Sequence, residues 1–253
     1  MKFAIIAAGD GSRLAAEGVS LPKPLVRVGG EALIDRLIRI FMENDADEIV
    51  VICNDRMSQV VEHLSQLQHD GLNGSPIPLR YVVKSTPSSM HSFYEISRFL
   101  TDGPFILTTI DTVFRENEFA DYVRAFRQST VDGLMGVTDY IDDEKPLYVG
   151  VDSSSCEMQG VRPMITGFYD SEADLPPSTL HPSPSTKYIS AGIYGLHENA
   201  LLTLDGCMKR HESRMRNFQR ALLADSLCLE AYPFSKVFDI DHASDIAKAE
   251  QFL

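Results

Sequence analysis

The chain has 253 residues, of which 44% are apolar and 23% are charged, and its formal net charge is −13. This composition is that of a globular protein long enough to bury a sizeable core without disulfides. The acidic charge argues against nonspecific binding to nucleic acid, which needs basic surface to neutralise phosphates. No apolar stretch approaches the length that spans a membrane. The four cysteines form no Cys-x-x-Cys pair, so we expect reduced thiols in a soluble, cytoplasmic protein.

The first half of the chain alternates predicted strands with predicted helices. Residues 3–7 are an apolar run that ends at glycines, as a buried strand does before a loop. From Glu31 the apolar spacing becomes helical. Strands that alternate with helices predict a parallel sheet with helices on both faces. To about residue 130, we predict strands at 3–7, 48–52, 79–83 and 104–108, and helices at 33–41, 56–68, 90–100 and 117–128.

The pattern changes beyond residue 130. Two strands are predicted at 133–139 and 147–152 with no helix between them. Residues 171–186 contain four prolines and several serines, which predicts a long exposed loop beside a site. The remaining predicted elements are strands at 188–196 and 227–233 and helices at 215–224 and 243–253.

A glycine-rich loop follows the first strand directly. Gly9 and Gly11 allow a tight turn whose backbone N–H groups can approach an anion. Arg13 adds a planar cation that can make paired hydrogen bonds to phosphate oxygens. Lys23 adds an ammonium between two prolines, which stiffen the backbone around it. The loop lacks the third glycine of dinucleotide-binding loops and the Gly-Lys-Ser/Thr ending of ATPase loops.

Two segments here resemble the signature of nucleoside-diphosphate-sugar pyrophosphorylases, a branch of the nucleotidyltransferase superfamily. They are Ala7-Ala8-Gly9-x-Gly11-Ser12-Arg13-Leu14 and Pro22-Lys23-Pro24-Leu25. The spacing between them also matches, and the resemblance extends in diluted form over nearly the whole chain.

The resemblance implies a fold and a placement for the nucleotide. The expected fold is α/β: a single three-layer, GT-A-like nucleotidyltransferase domain over residues 1–253, with a mostly parallel, Rossmann-like central sheet and a smaller mixed β region. Residues to about 130 would form the nucleotide-binding half, and residues from about 131 the acceptor-binding half. Arg13 and Lys23 would neutralise the phosphates of a nucleoside triphosphate, with Lys23 close to the α-phosphate. The loop residues implied to wrap the nucleotide are Ala7, Ala8, Gly9, Gly11 and Ser12.

Two acidic stretches resemble the places where the family binds a divalent metal, and this resemblance implies a Mg²⁺ site with Asp111 as its first ligand. Asp111 follows the predicted strand at 104–108, and the carboxyl ends of parallel strands are where α/β sheets bind ligands. Near the C-terminus, Asp239 to Ile246 resembles the family's Asp-x-Asp-Thr-Pro-Glu-Asp-Leu stretch, which implies Asp241 as the second metal ligand. His242 stands in place of the threonine that would cap the next helix.

Asp239 stays an alternative metal ligand, because residues two apart in a strand share a face. Asp245 fits better as an acid in the first turn of the following helix. Mg²⁺ suits the site because it binds through one or two carboxylates together with substrate phosphates and water.

The segment that would recognise the base departs from the family's pattern. By alignment, Lys84 and Ser89 stand where the family often has a glutamine and a glycine. Ser88 and Ser89 are our candidates for hydroxyl contacts to the base, with a helix N-cap as the alternative.

The segments that would bind the acceptor match the family's pattern only in part. Ser190-Ala191-Gly192-Ile193-Tyr194 resembles the Asn-Ala-Gly-Ile-Tyr strand that lines the family's sugar pocket, which implies that Ser190 and Gly192 bind the acceptor. An ordinary core strand is the alternative. The family's Glu-Lys-Pro motif is absent after Phe168, where Asp170 and Ser171 stand instead. The Glu-Lys-Pro at 144–146 is interpreted as a turn.

The expected reaction is transfer of a nucleoside monophosphate from a nucleoside triphosphate to a phosphorylated small molecule, a sugar 1-phosphate in first place, with release of pyrophosphate. A phosphate monoester has its second pKa near about 6, so the attacking oxygen needs no general base at neutral pH. Two alternatives stay open: a cytidylyltransferase for a non-sugar phosphate such as phosphocholine, and a non-catalytic regulator that binds sugar nucleotides. No nucleic acid or membrane partner is expected, and the sequence leaves a homo-oligomer open.

Overall fold

A nine-stranded sheet organises the chain. The computed structural model describes residues 1–142, 144–152, 162–176 and 187–253. In chain order, the strands are β1 (Lys2–Ala7), β2 (Arg27–Val28), β3 (Glu31–Ala32), β4 (Glu48–Cys53), β5 (Leu79–Val83), β6 (Phe105–Thr109), β7 (Thr112–Val113), β8 (Gly133–Thr138), β9 (Tyr148–Asp152), β10 (Met164–Tyr169), β11 (Tyr188–Leu196), β12 (Leu229–Phe234) and β13 (Phe238–Asp239).

Eight α-helices lie in the described ranges, together with short 3₁₀ turns at Lys23–Leu25 and Glu172–Asp174. The helices are α1 (Ser12–Ala16), α2 (Leu33–Glu43), α3 (Ser58–Asp70), α4 (Ser89–Ser97), α5 (Glu116–Gln128), α6 (Ala200–Lys209), α7 (Met215–Ala224) and α8 (Ala243–Phe252).

The first half of the sheet is parallel, as predicted. Its strands lie in the order β5-β4-β1-β6, and each neighbouring pair runs parallel. The central strands are continuous apolar runs that are buried on both faces, which is typical of parallel strands covered by helices. This arrangement places the ends of β1, β4 and β6 at one edge, next to the loops that follow them.

The second half corrects the expectation of a mostly parallel sheet. β6 pairs antiparallel with β11, and β11 continues through β8, β12 and β10 to β9. β9 also pairs with β11, so these five strands close into a ring. Only β8 and β12 run parallel within it. The sheet is therefore mixed, because β9 and β10 follow each other without a described helix and so pair antiparallel.

β11 belongs to both halves, and Gly192 makes this possible. The strand pairs with β9 through its first two residues and with β6 through its last four. Between them Gly192 has φ 70°, a conformation that glycine adopts at no steric cost. A Cβ atom at this position would lie 2.8 Å from Cγ2 of Thr112 and 2.9 Å from Oγ1 of Thr109. The bend therefore requires glycine and packs directly against the end of β6.

Helices cover both faces of the sheet, which gives the three layers expected. On one face α2, α3 and α5 pack against the sheet. A phenylalanine stack joins α2 and α5 to β1: the Phe3 and Phe41 rings, and the Phe114 and Phe119 rings, have centroids 4.6 Å apart. On the other face α4, α6 and α7 pack around Phe93. No helix in the described part of the chain is long and apolar enough to cross a bilayer.

Partly exposed ion pairs join α2 to α5. Arg36 is 5% exposed and donates to Glu116 and to the backbone oxygen of Phe114. Arg39 donates to both oxygens of Glu116 at 2.9 and 3.0 Å. Hydrogen bonds from Arg39, and then from Arg36, outweigh partial burial and lower the pKa of Glu116 to about 2.

The predicted elements match the structure within a few residues, with a few omissions. The sequence patterns did not indicate β10, α6, α1 or the two-residue strands. Residues 177–186 of the predicted proline-rich loop lie outside the described residues, as does Cys156. The other three cysteines are free thiols.

Candidate active site

A cleft of about 460 Å³ opens at the edge where β1 and β6 end. Its walls are the glycine-rich loop with the start of α1, residues 85–89 before α4, and the end of β6. Lys23 and Asp241 also line it. The cleft therefore brings together segments that are far apart in the sequence.

Gly11 shapes the phosphate-binding loop. It has φ 59° and starts α1, and a Cβ atom there would lie 3.2 Å from Cβ of Lys23. The missing side chain thus lets Lys23 pack against the loop. Asn54, which the sequence analysis did not single out, braces the same loop: its amide donates to Asp10 at 2.7 Å, and its oxygen accepts the backbone N–H of Arg56.

Asp111 and Asp241 meet through a short strand pair. Asp111 lies in the turn between β6 and β7, and β7 pairs with β13 just before Asp241. The backbone N–H of Ile240 donates to the backbone oxygen of Asp111 at 3.1 Å. The C-terminal aspartate is therefore held beside the end of the central strand, 130 residues earlier in the chain.

Lys23 bridges the two carboxylates. Its Nζ donates to Asp111 Oδ2 at 2.6 Å and to Asp241 Oδ1 at 2.7 Å, and the side chain is 8% exposed. Arg13 Nη1 donates to the other oxygen of Asp241 at 2.6 Å. Arg13, Lys23, Asp111 and Asp241, the four charged residues predicted for the site, thus form one connected cluster of ion pairs.

The ion pairs shift the pKa values of this cluster. Burial opposes the charged form of Lys23, but Asp111 and Asp241 outweigh it and raise the pKa of the ammonium. Burial likewise opposes charge on Asp111, yet the Lys23 ammonium lowers the pKa of that carboxyl. Both groups are therefore charged at neutral pH.

The carboxylates fit a divalent cation that is shared with substrate. Because Asp111 and Asp241 each place an oxygen on one ammonium nitrogen, the same pair could ligate a single ion in its place. No cluster of three or more acidic, histidine or cysteine side chains suited to a metal occurs among the described residues. Phosphate oxygens and water would have to complete the shell, which is how Mg²⁺ usually binds.

Asp239 and Asp245 differ in their roles. Asp239 is exposed and lies at the end of β13, and the Asp241 N–H turns back onto its backbone oxygen at 3.1 Å. Lys23 and Arg13 contact Asp241. Asp245 lies in the first turn of α8, as predicted, and its carboxylate accepts the backbone N–H groups of Asp241 and His242.

The serine-rich segment at residues 85–89 lines the same cleft as Asp111 and Asp241. Ser88 is the N-cap of α4, and its hydroxyl contacts Nδ1 of His91 at 2.8 Å. Ser88 and Ser89 both line the cleft, as do Ala8, Gly9, Gly11 and Ser12. Ala7 does not, because it is fully buried at the end of β1. Lys84 points elsewhere and pairs with Glu95 at 2.8 Å.

Ser190 and Gly192 lie on β11, outside the main cleft. Gly192 packs against Thr109 and Thr112 beside Asp111. The Ser190 hydroxyl donates to Gln219 at 3.0 Å. Gly192 therefore lies next to the turn that carries Asp111, whereas Ser190 lies against Gln219, and neither residue lines the cleft.

Asp170 stands where the family's lysine motif was expected and is held by two arginines. Arg220 Nη2 lies 2.8 Å from its carboxylate, and Arg216 also contacts it. Glu144, in the predicted turn before β9, lies 3.9 Å from Arg13. A second cavity of about 230 Å³ adjoins the first and shares Arg13 and Asp241 with it.

A model of the nucleotidyl transferase family matches residues 2–253. The chain belongs to the nucleotidyl transferase family. The bifunctional IPC transferase and DIPP synthase of Thermococcus kodakarensis is 28% identical over 120 residues, which make up 47% of this chain and 26% of that protein. The match thus spans about a quarter of that relative's length.

Solved structures agree on the fold. The UTP-bound UGPase of Acinetobacter baumannii is 18% identical, with a TM-score of 0.76 and coverage of 100% of this chain and 93% of that chain. The inositol-1-phosphate CTP transferase of T. maritima is 16% identical, with a TM-score of 0.71 and coverage of 99% and 96%. At these identities the likeness is one of fold. The family and the enzyme class expected from the loop and lysine motifs are confirmed by the family match.

Proposed function

We propose that this chain transfers a nucleoside monophosphate from a nucleoside triphosphate to a phosphorylated small molecule and releases pyrophosphate. One observation carries the proposal: a buried lysine joins two aspartates in the same cleft as a glycine-rich loop. Such a cluster concentrates opposite charges where a triphosphate and a cation can exchange with them. An acidic protein that binds a polyphosphate needs positive charge at the binding site, because its net negative charge otherwise repels the ligand.

Arg13 and Lys23 are the proposed catalytic residues. Both contact Asp241 in the structure, and both are long enough to turn toward phosphate oxygens placed on the glycine-rich loop. Phosphoryl transfer depends mainly on positioning and charge neutralisation, so two cations on the reacting phosphates are the main requirement. A Mg²⁺ held by Asp111 and Asp241 would neutralise further charge on the same phosphates.

The nucleotide is proposed to lie on the half of the chain up to about residue 130. The cleft residues other than Asp241 all come from that half. Backbone N–H groups between Ala8 and Ser12 would face the phosphates, and the hydroxyls of Ser88 and Ser89 would face the base. Ala7 would contribute only through the position that β1 gives the loop.

The acceptor is proposed to enter on the other side of Asp111 and Asp241, from the half beyond residue 131. Ser190 and Gly192 flank that approach on β11. A sugar 1-phosphate is our first candidate, in line with the resemblance to sugar pyrophosphorylases. Its phosphate oxygen would attack the α-phosphate in line with the departing pyrophosphate.

A second candidate is a non-sugar phosphate taken by a cytidylyltransferase. Asp170, paired with two arginines, replaces the lysine motif that contacts sugar phosphates in the resembling family. One structural neighbour is an inositol-1-phosphate CTP transferase. Inositol 1-phosphate and phosphocholine therefore belong in any substrate panel.

A pyrophosphate-release assay tests the proposal. It should combine each of the four nucleoside triphosphates with sugar 1-phosphates, inositol 1-phosphate and phosphocholine, in Mg²⁺ buffer. Release with a sugar 1-phosphate supports the first candidate, and release with CTP and only a non-sugar phosphate supports the second. Asp111→Asn should abolish release, whereas Asp205→Asn, which removes an exposed acid paired with Lys209, should not. No release with any pair would contradict the proposal.

A further inference from the structure

Glu17 joins the phosphate-loop helix to the start of α8. It caps the C-terminal end of α1, one helical turn after Arg13. One carboxylate oxygen accepts the backbone N–H of Ala243 at 2.7 Å, and the other contacts Nδ1 of His242. A single side chain thus ties α1 to the two residues that directly follow Asp241.

The other hydrogen bonds made by the backbone of residues 240–242, here called the Asp241 turn, do not reach the glycine-rich loop. Ile240 donates to Asp111, which fixes the turn to the end of β6. The Asp245 carboxylate accepts from Asp241 and His242 at 3.2 and 2.8 Å, which fixes the turn to α8 itself. Neither contact relates Asp241 to the glycine-rich loop.

The direct contacts between the loop and Asp241 are temporary in the proposed function. Arg13 and Lys23 hold Asp241 at 2.6 and 2.7 Å, but both are assigned to the triphosphate. When they turn toward the phosphates, these ion pairs are exchanged for phosphate contacts. The Glu17 contacts involve neither cation and can persist with substrate bound.

We infer that Glu17 is a positioning residue that fixes Asp241 against the phosphate-binding loop through the N-terminal end of α8. His242 takes part because its ring extends far enough to reach Glu17. The threonine that the resembling family has at this place would cap the helix with a shorter side chain. The inference rests on the proposed function, since the position of Asp241 matters if this carboxylate holds a metal beside the triphosphate.

The test is a Mn²⁺ titration of the full chain, followed by electron paramagnetic resonance, with inorganic tripolyphosphate and no acceptor. Loss of a direct hydrogen-bond partner of a metal ligand typically costs about 10–100-fold in metal affinity. Glu17 acts one residue further out, through His242 and Ala243, so Glu17→Ala should weaken Mn²⁺ binding by at most about tenfold. The matched control is Glu250→Ala. Glu250 is an exposed acid of α8 whose carboxylate accepts the Gly29 N–H at 3.1 Å, far from Asp241 along the helix. This control should leave Mn²⁺ affinity unchanged.

Two further variants separate positioning from charge. Glu17→Gln loses the charge but keeps an oxygen for the Ala243 N–H, so it should weaken Mn²⁺ binding less than Glu17→Ala. His242→Thr should weaken Mn²⁺ binding while its thermal midpoint stays near that of the unaltered chain, because threonine still caps α8. Equal losses in the alanine and glutamine variants would indicate a distant charge effect and overturn the inference.

Unchanged Mn²⁺ affinity in Glu17→Ala would also overturn it. A failure of the proposed function looks different: the unaltered chain itself would not bind Mn²⁺ in the presence of tripolyphosphate.

Discussion

The Lys23 ammonium keeps two carboxylates together that would otherwise repel each other. Asp111 and Asp241 lie at the ends of strands that pair only through two residues each, and the shared cation stabilises their approach. Buried ion pairs often add little net stability, because burial of each charge is costly. A small contribution to folding agrees with the proposed function, in which the cluster exchanges its ion pairs for contacts with a metal and a polyphosphate.

Replacing Lys23 by Ala should reduce turnover far more than stability. Loss of one preorganised donor to a transition-state charge typically costs about 10²–10³-fold in kcat. The loss of unfolding free energy should be about 1–3 kcal/mol, the cost of leaving charged hydrogen-bonding groups without a partner. Pyrophosphate release and urea unfolding in one buffer would measure both.

Lys23→Met is the control for this prediction, because it keeps the length of the side chain and removes the charge. It should lose as much turnover as the alanine variant. Turnover equal to that of the unaltered chain in either variant would show that Lys23 does not act on the phosphates.

The sequence indicated the charged residues of the site but few of the residues that hold them. Arg13, Lys23 and Asp111 follow strand or turn patterns that can be recognised locally. Asn54 and Glu17 act across 44 and 226 residues, and an isolated polar residue in a loop gives no signal of such a contact. Ala7 was assigned to the nucleotide from the loop motif, which cannot show where the buried strand ends.

At the scale of elements, β11 connects the parallel half of the sheet to the closed ring. Its bend at Gly192 lies directly under the turn that carries Asp111. A change in the bend of β11 should therefore shift the turn that carries Asp111, a proposed metal ligand.

Gly192→Ala should destabilise the fold by about 1–3 kcal/mol, the usual cost of holding a side chain in an unfavourable backbone conformation. It should also lower turnover, because the new Cβ atom meets Thr109 and Thr112 below 3.0 Å. Gly74→Ala is the matched control. Gly74 has φ 77° with no atom near the added Cβ, so this variant measures the backbone effect alone. If both variants lost the same stability and neither lost turnover, the proposed crowding at β11 would be wrong.

The ion pairs between α2 and α5 should give the fold a characteristic acid dependence. The folded pKa of Glu116 is lowered from 4.5 to about 2. Its stabilisation is thus complete above about pH 4.5 and is lost as the pH falls toward 2. Because Glu116 is 40% exposed, solvent screens the pair, and we expect only about 1 kcal/mol.

Urea unfolding of the unaltered chain and of Glu116→Gln, compared at pH 7, 5 and 3, tests this dependence. The difference between the two chains should be constant at pH 7 and 5 and shrink at pH 3. Glu43→Gln, which removes a more exposed partner of Arg39, should give a smaller difference. A difference that did not change with pH would contradict the assignment to ionised Glu116.

Two elements escaped prediction for physical reasons. In β10 the register shifts between Ile165 and Gly167, and this bulge disrupts the alternation that marks a strand. In α6 Leu202 is 77% exposed and Gly206 lies in the helix interior, so its apolar face is poorly defined. The antiparallel ring was missed for a different reason: the pairing of β9 with β11 is long-range, and no local pattern encodes it.

At the scale of the whole molecule, the net charge of −13 makes the cleft an exception to its surroundings. A free nucleoside triphosphate adds negative charge to an acidic protein that already places two aspartates in the site. We therefore expect triphosphate binding to depend strongly on a divalent cation that offsets this negative charge.

Mg²⁺ and nucleoside triphosphate together should raise the thermal midpoint. At about 100 times the dissociation constant, binding adds about 2.7 kcal/mol to stability. For a chain of this length this corresponds to roughly 5–10 °C. Triphosphate with a chelator should give a much smaller shift, and Asp241→Asn should reduce the shift seen with Mg²⁺. Equal shifts with and without the metal would exclude the proposed role of the aspartates.

The late position of Asp241 in the chain also has a consequence for synthesis on the ribosome. The glycine-rich loop, Lys23 and Asp111 all emerge in the first half, and the four parallel strands that hold them pair within that half. β13 emerges after all the other strands of the described ranges, so the nascent protein lacks Asp241 until that point of its translation. In the proposed function, nucleotide and metal can then be held together only once the segment around Asp241 has been made, and products truncated before it should have little ability to compete for them.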